Sequence, residues 1–497
     1  MGLHPVDLVI IVLYLAGITI FGLRFRKKQR SLKDYFLADN AIPWWAISLS
    51  IVAAETSTLT IISVPGLAYD KDFGFLQLVV GYLVGRVIIS FLLIPHYFKG
   101  DLFTAYQLIE RRFGQRLRSL TAGLFLLTRA AAEGVRVFAV AIVVGIALTS
   151  YLSGMSAFGR DLTAIAIVTV LTLIYTFEGG MAAVIWTDVV QMGIYVTGTI
   201  VGFFTILHLV PGGWETIHEV AGNAGKFHVF DFHWNFFKTY TFWSGLIGGA
   251  FLTTASHGTD QLIVQRLLDA RSQRQSKFAL LFSGVAVLFQ FSLFLLMGAM
   301  LYVFYRMFPP ATAFIKTDYI FPTFVVDKMP HGISGLLISA ILAAAMSNLS
   351  AALNSLSSTS IVDFYARFRP AATESRKLYL SRVATVFWGL VLFGLAILAR
   401  GGGKVVEVGL SIASVAYGSL LGVFLLGVLT KKASEKGAMV GMLCGFILNL
   451  YLWRFTKIPF TWYVMLGSLA TFAIGYAASF VLRDDSERRA AAGAATT

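Results

Sequence analysis

A single cysteine, Cys444, stands in 497 residues, so the chain can build neither an internal disulfide nor a cysteine zinc site. Charge is scarce too: Asp, Glu, Lys and Arg make up 13% of the residues, against about a quarter in an ordinary soluble domain. Catalytic furniture is missing as well. No nucleophile–base pair stands out, and the Gly401-Gly402-Gly403 run is too bare to cradle a phosphate, which argues against an enzyme. What fills the chain instead is apolar: 57% of it, for a mean hydropathy of +0.75. The apolar residues gather into stretches of about 18–30 residues, enough to cross a hydrocarbon core of about 30 Å. A water-soluble fold would have to expose large apolar patches and is excluded.

Thirteen such segments are expected, near 5–23, 42–69, 74–98, 119–152, 161–178, 182–209, 241–260, 278–306, 331–362, 383–399, 405–429, 437–453 and 461–482. The first has no basic stretch before it and no small-residue cleavage site after it, so it is read as a retained helix and not a secretory signal. The net charge of +14 would suggest nucleic acid in a soluble protein. Here the basic residues fall in alternate loops: Arg24 to Lys33, Arg111 to Arg118, Arg266 to Lys277, Arg367 to Arg382, Lys431 to Lys436, and Arg483 to Arg489. That alternation sets topology and predicts no nucleic-acid partner. It places the N-terminus outside and the C-terminus in the cytoplasm of a multi-pass protein in the cell membrane, in contact with lipid. An odd number of crossings requires the same. No obligate protein partner is evident.

Two segments are interrupted. The second, SLSIVAAETSTLTIISVPGLAY, carries Glu55, Thr56, Ser57, Thr58, Thr60 and Ser63 before Pro65-Gly66. The seventh, GLIGGAFLTTASHGTDQ, mixes Gly245, Gly248 and Gly249 with Thr253, Thr254, Ser256, His257 and Asp260. Irregular backbone at membrane depth is tolerated only where it is buried in protein or lines a cavity. Each interrupted segment opens a group of five, and five is odd, so the second group enters from the opposite side. Paired broken helices in corresponding positions of inverted repeats point to a carrier's central site. The expected organisation is one membrane domain over 1–482, with a leading helix 5–23, repeats 42–209 and 241–429, trailing helices 437–482 and a disordered cytoplasmic tail 483–497.

An ionisable group inside a span costs at least about 2.5 kcal/mol and needs a reason. Glu55 sits in the broken second span. Arg129, Glu133 and Arg136 lie at i, i+4 and i+7 on one face, can pair along it, and leave one net positive charge. Asp188 has no partner on its own helix and lies near the aqueous end of its span. His257 has no second His or Cys nearby, so no transition metal is expected. The ninth span adds Ser347, Asn348, Ser350 and other oxygens that suit a hard cation or close helix packing.

The run GGMAAVIWTDVVQ (Gly179–Gln191), the DQLIVQR stretch (Asp260–Arg266), the AAAMSNLSAALNS to VDFY segment and SLLGVFLLGVLTKKASEKGAMVG occur in order across nearly the whole chain. In these the sequence resembles the sodium/solute symporter family, which includes sodium/glucose, sodium/proline, sodium/sialic acid and sodium/iodide carriers. The resemblance implies an all-α, LeuT-like five-plus-five fold with one helix before the core and two after it. It implies alternating access driven by Na+. Carried over, the sodium site comprises the carbonyls of Ala53 and Thr56 with Ala344, Ser347 and Asn348. Family members usually have Ser or Thr where Asn348 stands, and two-sodium members can place a serine where Ala344 stands. Asp188 matches the family's ion-coupling aspartate. Solute contacts are expected at Glu55, Ser57, Arg136, Ser256 and His257. The last two occupy the place of an aromatic pair in the sugar carriers, so a stacked sugar is not indicated. An acid at 55 would favour an amino group, and Arg136 a carboxylate. Two other readings stay open from sequence: a proton-coupled carrier of the same fold, and a transporter-like sensor.

Overall fold

The computed structural model describes residues 3–23, 42–99, 105–175, 181–310, 313–365, 368–369, 371 and 373–482. The basic loop from Arg24 to Lys33 and the expected tail 483–497 lie outside the described residues. Among the described residues, each expected apolar segment coincides for most of its length with one or more helices. Among the described residues, nine helices are long and apolar enough to cross a membrane, or ten if the bent pair Trp44–Glu55 and Thr58–Asp70 counts as one. By that standard the expected thirteen are not reached. The first helix offers only Pro5–Ile18 as a short apolar stretch. Ala157–Tyr175 opens on Arg160 and Asp161, and the segment from Ser244 to Leu268 is broken.

The chain divides into two compact units, residues 1–76, 129–230 and 282–409 in one and 77–128, 231–281 and 410–497 in the other. Each unit draws segments from both expected repeats. In the first unit, the Met181–Leu209 helix packs against both Trp44–Glu55 and Ile333–Thr359. Ile333–Thr359 also packs on the leading helix Pro5–Leu23 and on the half-helix Thr58–Asp70. Asp7 explains the leading helix. Its buried carboxylate accepts hydrogen bonds from Gly332 N (2.7 Å) and Gly335 N (3.1 Å), at the start of Ile333–Thr359. Those N–H groups have no intrahelical partner, and the helix dipole favours an anion there.

In the second unit, Leu76–Leu92 lies backbone-to-backbone on the segment Ser244–Gly258. A Cβ on Gly81 would sit 2.2 Å from the Gly245 carbonyl oxygen and 2.8 Å from Gly249 Cα. Only glycine allows that approach, which is how small residues bring membrane helices together. Gly81→Ala is therefore expected to reduce the yield of monodisperse, folded protein severely, since neither helix backbone can yield; size-exclusion chromatography of the purified variant checks this. The Glu435–Phe455 and Tyr463–Val481 helices pack closely, and Asn449 Nδ2 donates to the Ser414 and Val415 carbonyls at 3.3 and 3.0 Å.

Candidate ion and solute site

The second expected span is two half-helices, Trp44–Glu55 and Thr58–Asp70, bent by 64° across Thr56 and Ser57. Both linking residues leave helical geometry, with Thr56 at ψ 69° and Ser57 at ψ 171°. The hydrogen bonds reroute accordingly. In an unbroken helix the Ser57 N–H would meet the Ala53 carbonyl; it donates to Glu55 O at 3.0 Å. The Thr60 N–H would meet the Thr56 carbonyl; it donates to Ser57 O at 2.9 Å. Ala53 and Thr56 thus keep carbonyl oxygens whose helical partners are committed elsewhere, and both residues are buried. These are the two carbonyls that the family resemblance assigns to sodium. The C-terminal end of one half-helix and the N-terminal end of the next meet here, so opposite dipole ends face one break. Thr56 Oγ1 donates to Gln290 Oε1 at 2.8 Å, tying the break to the Gln273–Met307 helix. Sequence reasoning passed over Gln290, the one amide in an otherwise apolar stretch.

Of the other expected sodium ligands, Ala344 is buried on Ile333–Thr359, and Ser347 and Asn348 are half-buried. Among the described residues, neither the Ser347 hydroxyl nor the Asn348 amide is engaged in a hydrogen bond, so both oxygens are available. Asp188 sits on Met181–Leu209, the helix that touches both Trp44–Glu55 and Ile333–Thr359. It is 4% exposed and accepts a hydrogen bond from Ser50 Oγ at 2.6 Å. Its burial corrects the expectation of a carboxylate near water; as expected it has no partner on its own helix, and Ser50 lies 138 residues earlier in the chain.

The charged row on Gln115–Ala147 pairs as its spacing predicts. Glu133, fully buried, takes Arg129 at 3.0 Å and Arg136 at 2.7 Å. One carboxylate shared by two guanidinium groups leaves a positive charge. The two arginines differ: the Arg129 side chain is 8% exposed and that of Arg136 28%. Val135, next to Arg136 in the chain, and Leu59, just past the helix break, both approach Gly409. A Cβ on Gly409 would be 3.2 Å from Leu59 and 4.0 Å from the Val135 side chain. Glu133→Gln leaves buried Arg129 and half-buried Arg136 without their shared counter-charge; removing one partner of a buried pair costs about 3–5 kcal/mol, so a large drop in melting temperature is expected in a thermal-unfolding assay.

Ser256 and His257 belong to the other unit. His257 is buried, with Nε2 3.3 Å from Arg86 Nη2 and Nδ1 2.9 Å from Ser256 Oγ. Arginine only donates, so Nε2 accepts, Nδ1 carries the proton and donates to Ser256, and the ring is neutral. Arg86 is fully buried in Leu76–Leu92 and was missed from sequence, although it is the only charged residue in that helix. The seventh span runs beyond Asp260, which caps a further helix, Gln261–Leu268, by accepting from Leu262 N at 2.9 Å and also accepts from the Tyr417 hydroxyl at 2.8 Å.

A multi-pass helical protein with a span unwound at buried depth, free carbonyls at the break and a net-positive charged row within another helix has the build of a secondary carrier. The chain belongs to the sodium:solute symporter family, whose profile matches residues 35–445. It is similar to the sodium/sialic acid symporter NanT of Aliivibrio fischeri, 29% identical over 477 residues that cover 93% of this chain and 90% of the relative. The sodium-coupled monocarboxylate transporter 2 of Mus musculus is 26% identical over 446 residues, 88% of this chain and 70% of the relative. Among solved structures, a Na+-coupled sialic acid symporter in a substrate-bound, outward-open state superposes with a TM-score of 0.81 at 28% identity, over 96% of this chain and 98% of that one. The nucleobase-cation symporter Mhp1 shares the fold, with a TM-score of 0.53 at 12% identity over 89% of this chain and 93% of that one. The protein is therefore a sodium-coupled symporter of a small solute on a LeuT-like fold, with Na+ as its coupling ion, and not an enzyme.

Proposed function

We propose that the solute is a small organic anion whose carboxylate pairs with Arg136, beside Glu55 and Ser57 at the helix break. The shared carboxylate of Glu133 carries this reading. It balances one of two arginines, and the more exposed of the two is Arg136, whose chain neighbour Val135 approaches Gly409 as Leu59, just past the break, also does. A planar guanidinium suits a carboxylate because it offers parallel donors. The named relatives handle sialic acid and monocarboxylates, both of which bear that group.

In the same reading, Na+ is held by the Ala53 and Thr56 carbonyls with Ala344, Ser347 and Asn348, and Asp188 couples ion occupancy to the packing of the half-helix that carries Ser50. The five-helix groups 42–209 and 241–429 act as inverted repeats, with 1–482 as one membrane domain. Basic loops face the cytoplasm of a cell membrane, with the N-terminus outside. The test is a thermal-shift screen of purified protein in sodium and in choline buffer, using carboxylates and their neutral amides. A ligand that binds only the folded state raises the apparent melting temperature. The reading requires a carboxylate that does so in sodium and an amide counterpart that does not. Equal shifts from the two would sink it.

A further inference from the structure

The first unit holds a cavity of about 790 Å³ whose lining includes none of the residues of the helix break. It is walled by the end of Gln115–Ala147, the start of Ala157–Tyr175, the segment 305–328 and the end of Glu374–Ala399. The walls are aromatic, with Phe138, Phe158, Phe308, Phe314 and Tyr319, and they carry four cations, Arg160, Lys316, Lys328 and Arg400, against two carboxylates, Asp161 and Asp327. Two of the cations are already committed. Arg400 pairs with Asp161 and lies 5.1 Å over the Phe158 ring. Lys316 Nζ donates to the Arg400 and Gly402 carbonyls at 2.8 and 2.6 Å. Arg160 forms no ion pair among the described residues, and it lines the cavity. Tyr305 is 7% exposed, lines the same cavity, and its buried hydroxyl has no hydrogen-bond partner among the described residues.

A buried hydroxyl without a partner is costly, and native structures seldom leave one so. The volume is that of a site for an organic molecule and exceeds what one inorganic ion needs. We propose that this cavity is a second binding site, distinct from the helix break, for an anion with an apolar body: Arg160 holds the anionic head, the Tyr305 hydroxyl donates to a polar atom of the occupant, and the body lies against Phe138, Phe158 and Phe314. Two sources supply that chemistry, a free organic anion and an anionic lipid.

The test uses the full chain in phosphatidylcholine nanodiscs, in choline buffer, with 2-naphthoate as probe and titration calorimetry as readout. Saturable binding is expected, weakened about tenfold or more by Arg160→Gln, as removal of a charge-assisted hydrogen bond implies. Tyr305→Phe is expected to weaken it less, and Arg136→Gln not at all, which separates this site from the break. The neutral 2-naphthalenemethanol is expected to bind far more weakly. If lipid is the natural source, adding phosphatidylglycerol lowers naphthoate affinity in the parent and not in Arg160→Gln; if a free anion is the source, the added lipid changes nothing. Melting temperatures of the variants show that they are folded. No saturable binding, equal binding of the alcohol, or unchanged binding in folded Arg160→Gln overturns the proposal.

Discussion

Arg136→Gln is expected to lower sodium-dependent uptake of the true solute by about a hundredfold in kcat/KM while leaving sodium binding intact. The magnitude follows from the ion pair that the substitution removes. A charge-assisted, partly desolvated guanidinium–carboxylate pair is worth about 3 kcal/mol, and each 1.4 kcal/mol is a factor of ten. Glutamine is shorter, keeps some hydrogen-bonding capacity and removes the charge. The variant also leaves Glu133 with one arginine, Arg129 at 3.0 Å, so the buried carboxylate stays paired and the fold should persist. Arg136→Lys restores charge without the planar fork, and recovery is expected to be partial. Uptake by both variants in sodium-loaded and choline-loaded assays decides the matter. Full activity in Arg136→Gln would remove the carboxylate reading and leave the sodium site untouched.

Ser347→Ala is expected to act on the other partner. It deletes one oxygen from the proposed ligand set without harming helix propensity, because alanine is the best helix former. An oxygen ligand to a desolvated cation is on the scale of a hydrogen bond to a charged group, about 1.5–3 kcal/mol. The sodium concentration for half-maximal uptake should therefore rise about tenfold or more, with maximal rate recovered at high sodium. A change in maximal rate with unchanged sodium dependence would contradict the assignment. The same comparison at Asn348 asks whether an amide oxygen serves where relatives usually carry a hydroxyl.

The two variants probe features of unequal legibility. The broken second span was readable because Glu55 to Ser63 and Pro65-Gly66 put polar and helix-weakening residues in an apolar run, and the structure bends there by 64°. The pairing of Arg129, Glu133 and Arg136 was readable because it is local, set by helical spacing alone. Contacts between distant segments were not. Asp188 has no partner on its own helix, and no periodicity within one helix can reveal its hydrogen bond with Ser50, 138 residues away. Gln290 was passed over for the same reason, since its role emerges only when Thr56 donates to it. Arg86 is different: one arginine in a 17-residue apolar helix was a signal in plain view, and the general cost of an intramembrane charge should have singled it out. The count of thirteen crossings is not reached by the standard of length and hydropathy among the described residues, because composition marks apolar stretches well but says little about whether a stretch is continuous. The seventh span shows this, breaking at Thr259 and resuming at Gln261.

Sodium-driven uptake of a carboxylate by the purified protein in proteoliposomes tests the central claim most directly. An inward sodium gradient should concentrate a radiolabelled monocarboxylate or sialic acid above its external level. Replacing sodium with choline at fixed pH should abolish that accumulation, and Arg136→Gln should abolish it with sodium present. Accumulation that persists in choline and follows an imposed proton gradient, or that proceeds equally well for the neutral amide of the solute, would contradict the account.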